Sequence, residues 1–239
     1  ALYSRGSSDP AVVPLDTGVK TRSGTKAPRS MAWSELQADS AVSANALLGV
    51  SVHDGASAGG GAGAFRVADV VVVPPSESWH VTGLRVFAYQ PGSAASAAAP
   101  VDAMNVRIWS GPPGEEGSVL IAGDVGANVL GEVVATNLLR TPATGPKKAR
   151  PKGDKTRQIW SVDSGALDIV LPAGTYWVDW QLSSTDAGKA LFTPLVTVPR
   201  ARGPVLEDGG ALQLAPAPGG AAWSEIEDPG IGLASANVA

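Results

Sequence analysis

Apolar and polar positions alternate most clearly in residues 171–182, and this alternation predicts a half-buried β-strand. Pro172 and Gly174 predict a turn just before that strand, because both residue types favour turn conformations. Successive side chains of a strand point to opposite faces. One face is therefore expected to carry Tyr176, Val178 and Trp180, and the other to carry Thr175, Trp177, Asp179 and Gln181.

From Phe65 onward, runs rich in β-branched and aromatic residues recur at spacings of roughly 8–15 residues, separated by turns. Pro74 and Pro75 are expected to end the first strand, and Gly83 to form a bulge in the second. This pattern predicts an all-β protein, an antiparallel β-sandwich of jelly-roll-like type. The predicted strands are residues 65–73, 79–90, 103–109, 118–122, 129–137, 158–162, 167–171, 175–182, 191–198, 211–214 and 221–226.

Residues 1–64 lack a sustained period and are expected to form an extended N-terminal arm that packs on a sandwich domain of residues 65–239. Trp33 and Leu36 lie three positions apart, which fits one helical turn or an apolar plug that tethers the arm. The plug is the favoured interpretation. Residues 44–52 are apolar enough to form a strand. Residues 56–64 contain only Gly, Ala and Ser, which predicts a flexible loop.

The composition favours an exported protein. Of the 239 residues, 17% are charged, against about 25% in average domains. The chain has no cysteine, which excludes disulfides and cysteine metal sites but does not place it in the cytosol. The 29 glycines and 19 prolines fit a chain with many turns. We predict a secreted or cell-surface protein whose signal peptide has been removed. The net charge of −4 argues against nucleic-acid binding, and no apolar run approaches the ~20 residues that a membrane span needs.

Five sequence motifs follow one another from residue 67 to residue 181. They are Val67-Ala-Asp69 with Val73-Pro74, Trp79-His-Val81 with Tyr89-Gln90-Pro-Gly92-Ser93, Arg107-Ile-Trp109-Ser-Gly111-Pro112-Pro113, Thr156-Arg157-Gln-Ile-Trp160, and residues 171–181. In this order they resemble the motifs of a group of exported bacterial proteins of unknown function. The N-terminal residues 2–6 and 33–37 are similar to that group as well. The resemblance implies an exported β-sandwich and no particular activity.

Asp179 is the most interesting carboxylate, because a charge on an aromatic strand must face water or be paired. A structural pair with Arg107 or Arg157 is the favoured interpretation, since both lie on predicted strands beside a Trp. The functional alternative is a sugar-binding platform in which an exposed indole stacks on the sugar beside polar groups. Its ligand-binding residues would be Trp177, Asp179, Trp109 and Arg107.

Calcium is the one cofactor that the sequence leaves open, because Asp side chains and loop carbonyls can ligate it. Asp54 and Asp69 are the predicted metal ligands, and Asp124 and Asp163 are further candidates. Val70 stands where the resembling proteins have a second acidic residue, so a cation site built on that acidic pair would lose a ligand.

No catalytic residue is predicted. His53 precedes Asp54 at the edge of the Gly/Ala loop, but no Gly-x-Ser-x-Gly motif supplies a nucleophile for it. His80 follows Trp79 inside a predicted strand and is expected to fill a strand face. Glu115 and Glu116 are adjacent in a turn, which indicates solvated surface rather than an acid/base pair. Paired carboxylates from distant positions stay open, because such pairs are defined in space.

The leading functional hypothesis is an exported, non-enzymatic β-sandwich that acts as a cell-surface, matrix or assembly component. The expected partners are other copies of the chain, joined through the N-terminal arm into a homo-oligomer, other surface proteins and polysaccharide. The alternative is a carbohydrate-binding accessory module or a weak hydrolase that uses Trp and carboxylates on one sheet face. The basic residues 147–155 are interpreted as an exposed loop, with polyanion docking as the less favoured alternative.

The tryptophans separate the two hypotheses. Burial of Trp109, Trp160, Trp177 and Trp180 inside the sandwich would favour the structural role. Two or more coplanar exposed indoles would favour sugar binding.

Overall fold

The structure is a computed structural model that describes residues 15–36, 48–54, 64–94, 98–142, 153–186, 189–195 and 210–227. Within these residues the chain has no helix, and its strands form two six-stranded sheets. The predicted all-β, sandwich-like fold is confirmed. The strands are β1 (Ala32–Glu35), β2 (Gly49–Ser51), β3 (Arg66–Val81), β4 (Arg85–Tyr89), β5 (Val101–Trp109), β6 (Leu120–Gly123), β7 (Leu130–Thr141), β8 (Gln158–Ser164), β9 (Ile169–Ser184), β10 (Phe192–Pro194), β11 (Leu212–Ala217) and β12 (Gly220–Glu225).

The first sheet has the strand order β1-β7-β8-β4-β10-β2, and the second has the order β12-β11-β3-β9-β5-β6. Neighbouring strands are antiparallel except β1 and β7, which run parallel. The two longest strands, β3 and β9, pair at the centre of the second sheet. The predicted antiparallel arrangement therefore holds for most of the fold.

The main apolar core lies between the two sheets and draws on strands of both. Tyr176, Val178 and Trp180 of β9 all belong to it, which confirms the face predicted for them. Opposite them in the same sheet, β5 contributes Val106 and Ile108. This alternation leaves the other side chains of β5 and β9 on the outer face of the second sheet, where the candidate site lies.

A second, smaller apolar cluster covers the outer face of the first sheet. Leu15 and Ala32 from the N-terminal arm pack there with Phe87 and Tyr89 of β4, together with Leu138 and Ile159. The arm also supplies β1 and β2 to this sheet. The arm of residues 1–64 therefore contacts the sandwich through its described residues.

Trp33 and Leu36 are both buried, which agrees with an apolar plug that tethers the arm and not with a helical turn. Trp33 lies in β1, which pairs in parallel with β7, and its indole is fully buried. The indole Nε1 donates to the carbonyl oxygen of Thr25 at 3.0 Å. Thr17 and Gly18 hydrogen-bond the backbone of Trp33 from the opposite side. The sequence did not predict β1 itself, because parallel pairing with a distant strand leaves no local sequence signal.

Two predicted strand ends were wrong. β9 begins at Ile169 and continues through Pro172 and Gly174. β3 likewise continues past Pro74 and Pro75, where its pairing with β9 is irregular between Val73 and Ser78. Pro74 and Pro75 lack a backbone donor, but in this irregular segment they have no ladder partner, so no ladder hydrogen bond is lost there.

The predicted single strand of residues 79–90 was also wrong. β3 ends at Val81 in the second sheet, and β4 begins at Arg85 in the first sheet. Residues 82–84, including Gly83, therefore carry the chain between the sheets instead of forming a bulge within one strand. One bulged strand and two strands in different sheets give the same alternating pattern, so the sequence did not distinguish them.

Tyr89 provides a pH-dependent test of the second apolar cluster. Its ring is buried and stacks on Phe192 with centroids 5.6 Å apart. Burial raises the pKa of Tyr89 to about 12 from its ordinary value of 10.0, so folding favours the neutral phenol. The stability that Tyr89 contributes is complete below pH 10 and is lost as the pH rises toward 12. Relative to Tyr89→Phe, the wild type should lose about 2 kcal/mol between pH ~9 and pH ~11.5 in urea unfolding. If the free energy of unfolding changes equally with pH in the wild type and in Tyr89→Phe, this expectation is contradicted.

Candidate functional site

A polar cluster lies on the outer face of the second sheet, and Asp179 is at its centre. The register places Arg107 of β5 directly opposite Asp179 of β9, and Asn105 opposite Gln181. Residues opposite each other in an antiparallel pair project to the same face, which brings these side chains together. We call this group the Asp179 cluster; its members are Arg66, Asn105, Arg107, Trp109, Asp179 and Gln181.

The Asp179 carboxylate is completely buried, at 0% exposure, and both of its oxygens accept hydrogen bonds. Oδ1 accepts from Nε of Arg66 at 2.5 Å and also contacts its Nη2. Oδ2 accepts from Nε of Arg107 at 2.9 Å and from the indole Nε1 of Trp109 at 2.6 Å. A buried carboxylate with this many charge-assisted partners is compensated for the loss of hydration.

Arg66 is the second buried charge of the cluster, and only 3% of its surface is exposed. Its Nη1 donates to the side-chain oxygens of Asn105 and of Gln181, the latter at 3.4 Å. Gln181 is fixed in turn by donating to the carbonyl oxygen of Phe65 at 3.0 Å. Burial lowers the pKa of Arg66, and the neighbouring Asp179 carboxylate opposes that change. The pairing with Asp179 therefore keeps a buried guanidinium charged.

The cluster reaches solvent at Arg107 and Trp109. The Arg107 side chain is 16% exposed, and its guanidinium carbon lies 4.9 Å from the ring centroid of Trp109. Trp109 is partly buried. This stacking, together with the hydrogen bond to Asp179, holds the guanidinium in one orientation.

The structure brings together three of the four predicted ligand-binding residues. Asp179, Arg107 and Trp109 are in direct contact, and the expected pair between Asp179 and Arg107 forms. Trp177 is buried on the same face, opposite Trp109. The alternative partner Arg157 instead pairs with Asp154. Whether any of these residues binds a ligand stays a prediction.

Sequence reasoning missed Arg66, which is the closest ionic partner of Asp179. Arg66 stands just before the Val67-Ala-Asp69 motif, two positions from Ala68, which lies opposite Asp179. Its position on the outer face was implied by period-two alternation. The register between β3 and β9 was needed to place it beside Asp179, and no single sequence gives that register.

The four candidate metal ligands have other roles in the structure. Asp54 accepts from the Ser183 hydroxyl at 2.7 Å. Asp69 projects into the main core opposite Val178, and burial raises the pKa of its carboxyl. Asp163 forms an ion pair with Arg85, and Asp124 accepts from the backbone of Gly126. Within the described ranges no group of three or more His, Cys, Asp or Glu residues could hold a metal. Calcium binding stays a prediction.

The two histidines and the adjacent glutamates are placed as follows. His53 is buried, its Nδ1 lies 2.7 Å from the carbonyl oxygen of Asp54, and its ring packs against Phe65. His80 was expected to fill a strand face, but its side chain is exposed and lies 2.7 Å from Asp168. Glu115 and Glu116 are exposed in the turn between β5 and β6, as expected.

Comparison of the chain with protein-family models, curated proteins and solved structures found no match. The resemblance to exported bacterial proteins therefore stays a prediction from the motifs. The described part of the chain contains no helix long and apolar enough to cross a membrane.

Proposed function

We propose that this chain is a non-enzymatic component of a cell-surface or extracellular assembly and that it joins a second copy of itself through β6. The exposed apolar edge that β6 gives to the second sheet carries the proposal. The low content of charged residues and the frequent turn formers support export. The polar side chains with catalytic potential bond to other groups of the same chain, which supports a structural rather than a catalytic role.

β6 is the last strand of the second sheet, so one side of its backbone has no strand partner among the described residues. Its neighbourhood is apolar and exposed: Val119 is 61% exposed and Ile121 is 44% exposed. Natural sheet edges are usually protected by Lys, by Pro or by inward-facing charges. Residues 119–123 contain none of these. An exposed apolar edge without charges favours pairing with another strand, and the four-residue length of β6 keeps that pairing short.

The sequence of β6 is complementary to itself in the antiparallel direction. When Ile121 lies opposite Ile121 of the second copy, Leu120 faces Ala122 and Val119 faces Gly123. The Leu120–Ala122 and Val119–Gly123 pairs each join a large side chain to a small one, and the two Ile121 side chains lie opposite each other at the centre. This twofold arrangement uses the same patch on both copies, as closed dimers do.

The polar residues with catalytic potential are engaged within the protein. Both carboxylate oxygens of Asp179 accept from side chains, and His53 bonds to a backbone carbonyl. Of the four tryptophans whose burial was expected to separate the two hypotheses, three are buried: Trp160, Trp177 and Trp180. These observations support a structural role over a weak hydrolase, and Trp109, the fourth of these tryptophans, is partly exposed.

Sedimentation velocity of the full chain over a range of concentrations tests the proposal. We expect weak, concentration-dependent dimerisation, because one short strand gives an interface below about 1,200 Å². Ile121→Lys should abolish dimerisation, since two lysines would lie opposite each other. Val170→Lys is the matched control, because Val170 is an exposed residue of β9 outside the edge. A wild type that stays monomeric, or an Ile121→Lys variant that dimerises like the wild type, would contradict the proposal.

A further inference from the structure

Arg107 presents an oriented and partly unused guanidinium at the outer face of the second sheet. Its Nε donates to Asp179, and its plane stacks on Trp109. Neither Nη nitrogen hydrogen-bonds to another residue in the described part of the chain. Because the side chain is partly exposed, these N–H groups can donate to a ligand from solvent.

The charges of the Asp179 cluster favour an anion at this point. The cluster holds two guanidinium groups, Arg66 and Arg107, and one carboxylate, Asp179. Arg66 and Asp179 are buried and neutralise each other in direct contact. The remaining positive charge is therefore presented at Arg107. A planar guanidinium with two N–H groups on one side matches the two oxygens of a carboxylate.

We propose that Arg107 and Trp109 form a binding subsite for a carboxylate-bearing sugar, as in the uronic-acid units of an acidic polysaccharide. The Arg107 Nη groups bind the carboxylate. Trp109, which is partly exposed and has the Arg107 guanidinium stacked on its ring, packs against the sugar beside that guanidinium, since an indole combines an apolar surface with low conformational freedom. Asp179 is a positioning residue that holds both side chains through its Oδ2.

This subsite goes beyond the proposed assembly role and rests on different residues. Loss of dimerisation in Ile121→Lys leaves the Arg107 contacts in place, and a change at Arg107 leaves Val119 and Ile121 unchanged. The two proposals can therefore fail separately.

Isothermal titration calorimetry with polygalacturonate tests the subsite, and methyl-esterified polygalacturonate is the neutral comparison polymer. We expect the wild type to bind the acidic polymer and Arg107→Gln to lose about tenfold or more in affinity. Arg107→Lys, which keeps the charge but loses the planar fork, should bind with intermediate affinity. Arg29→Gln is the matched control, because it removes one exposed positive charge from the arm and should bind like the wild type. Circular dichroism checks that each variant is folded.

Three results would overturn the proposal. The first is equal affinity of the wild type for the acidic and the esterified polymer. The second is an Arg107→Gln or Arg107→Lys variant that is folded and binds as tightly as the wild type. The third is equally tight binding of polyglutamate, because this would show carboxylate binding without recognition of a sugar.

Discussion

Asp179→Asn should destabilise the protein by about 3–5 kcal/mol, because it leaves the buried Arg66 guanidinium without its counter-ion. The amide preserves the shape of the side chain, so packing changes little. The loss reflects the missing charge and the replacement of one acceptor oxygen by an NH2 group that faces donors. For a chain of this size, the loss corresponds to a decrease in Tm of roughly 6–20 °C. Urea unfolding followed by tryptophan fluorescence measures the free energy of unfolding directly.

Asp163→Asn is the matched control for this prediction. Asp163 also pairs with an arginine across two antiparallel strands, but its partner Arg85 is exposed to solvent. Exposed ion pairs contribute only about 0–1 kcal/mol. Equal losses in the two variants would show that burial of the Asp179 cluster has no energetic consequence.

Trp180→Ala should cost about 3–5 kcal/mol, because large-to-small substitutions in a core lose apolar contacts and leave a cavity. The Trp180 side chain is completely buried between the two sheets and belongs to the main apolar core. Its neighbours across the sheet, Val67 and Val106, are buried as well and cannot fill the space of an indole. Thermal and urea unfolding of the purified variant check the expected loss.

Val170→Ala on the same strand serves as the reference for Trp180→Ala. Val170 is 62% exposed near the start of β9, so its truncation should change stability by less than about 0.5 kcal/mol. A loss below 1 kcal/mol in Trp180→Ala, or a comparable loss in both variants, would contradict the assignment of Trp180 to the core.

The fold class and the two faces of the central strand followed from the sequence alone. The alternation around Asp179 places Trp180 in the core and Asp179 on the outer face, because strand geometry depends only on neighbouring residues. Strand partners depend on residues far apart in the chain. For that reason the parallel pairing of β1 with β7 and the crossing between sheets at residues 82–84 were not predicted.

The sequence predicted the candidate site in part, as it did the fold. A carboxylate on an aromatic strand needs a partner, and Arg107 was one of two arginines proposed for Asp179. The contribution of Arg66 depends on the register between β3 and β9, which the irregular segment around Pro74 and Pro75 leaves undetermined from sequence. The complete burial of Asp179 likewise depends on how the surrounding elements cover this face.

The central claim is that Asp179 and Arg66 form a buried structural pair on which the outer face of the second sheet depends. A double-mutant cycle with Arg66→Met and Asp179→Leu measures the coupling between them most directly. We predict a coupling free energy of about 2–3 kcal/mol, with the double variant more stable than Asp179→Leu alone, because removing both charges leaves neither one buried and unpaired. A coupling free energy below about 0.5 kcal/mol would contradict the claim.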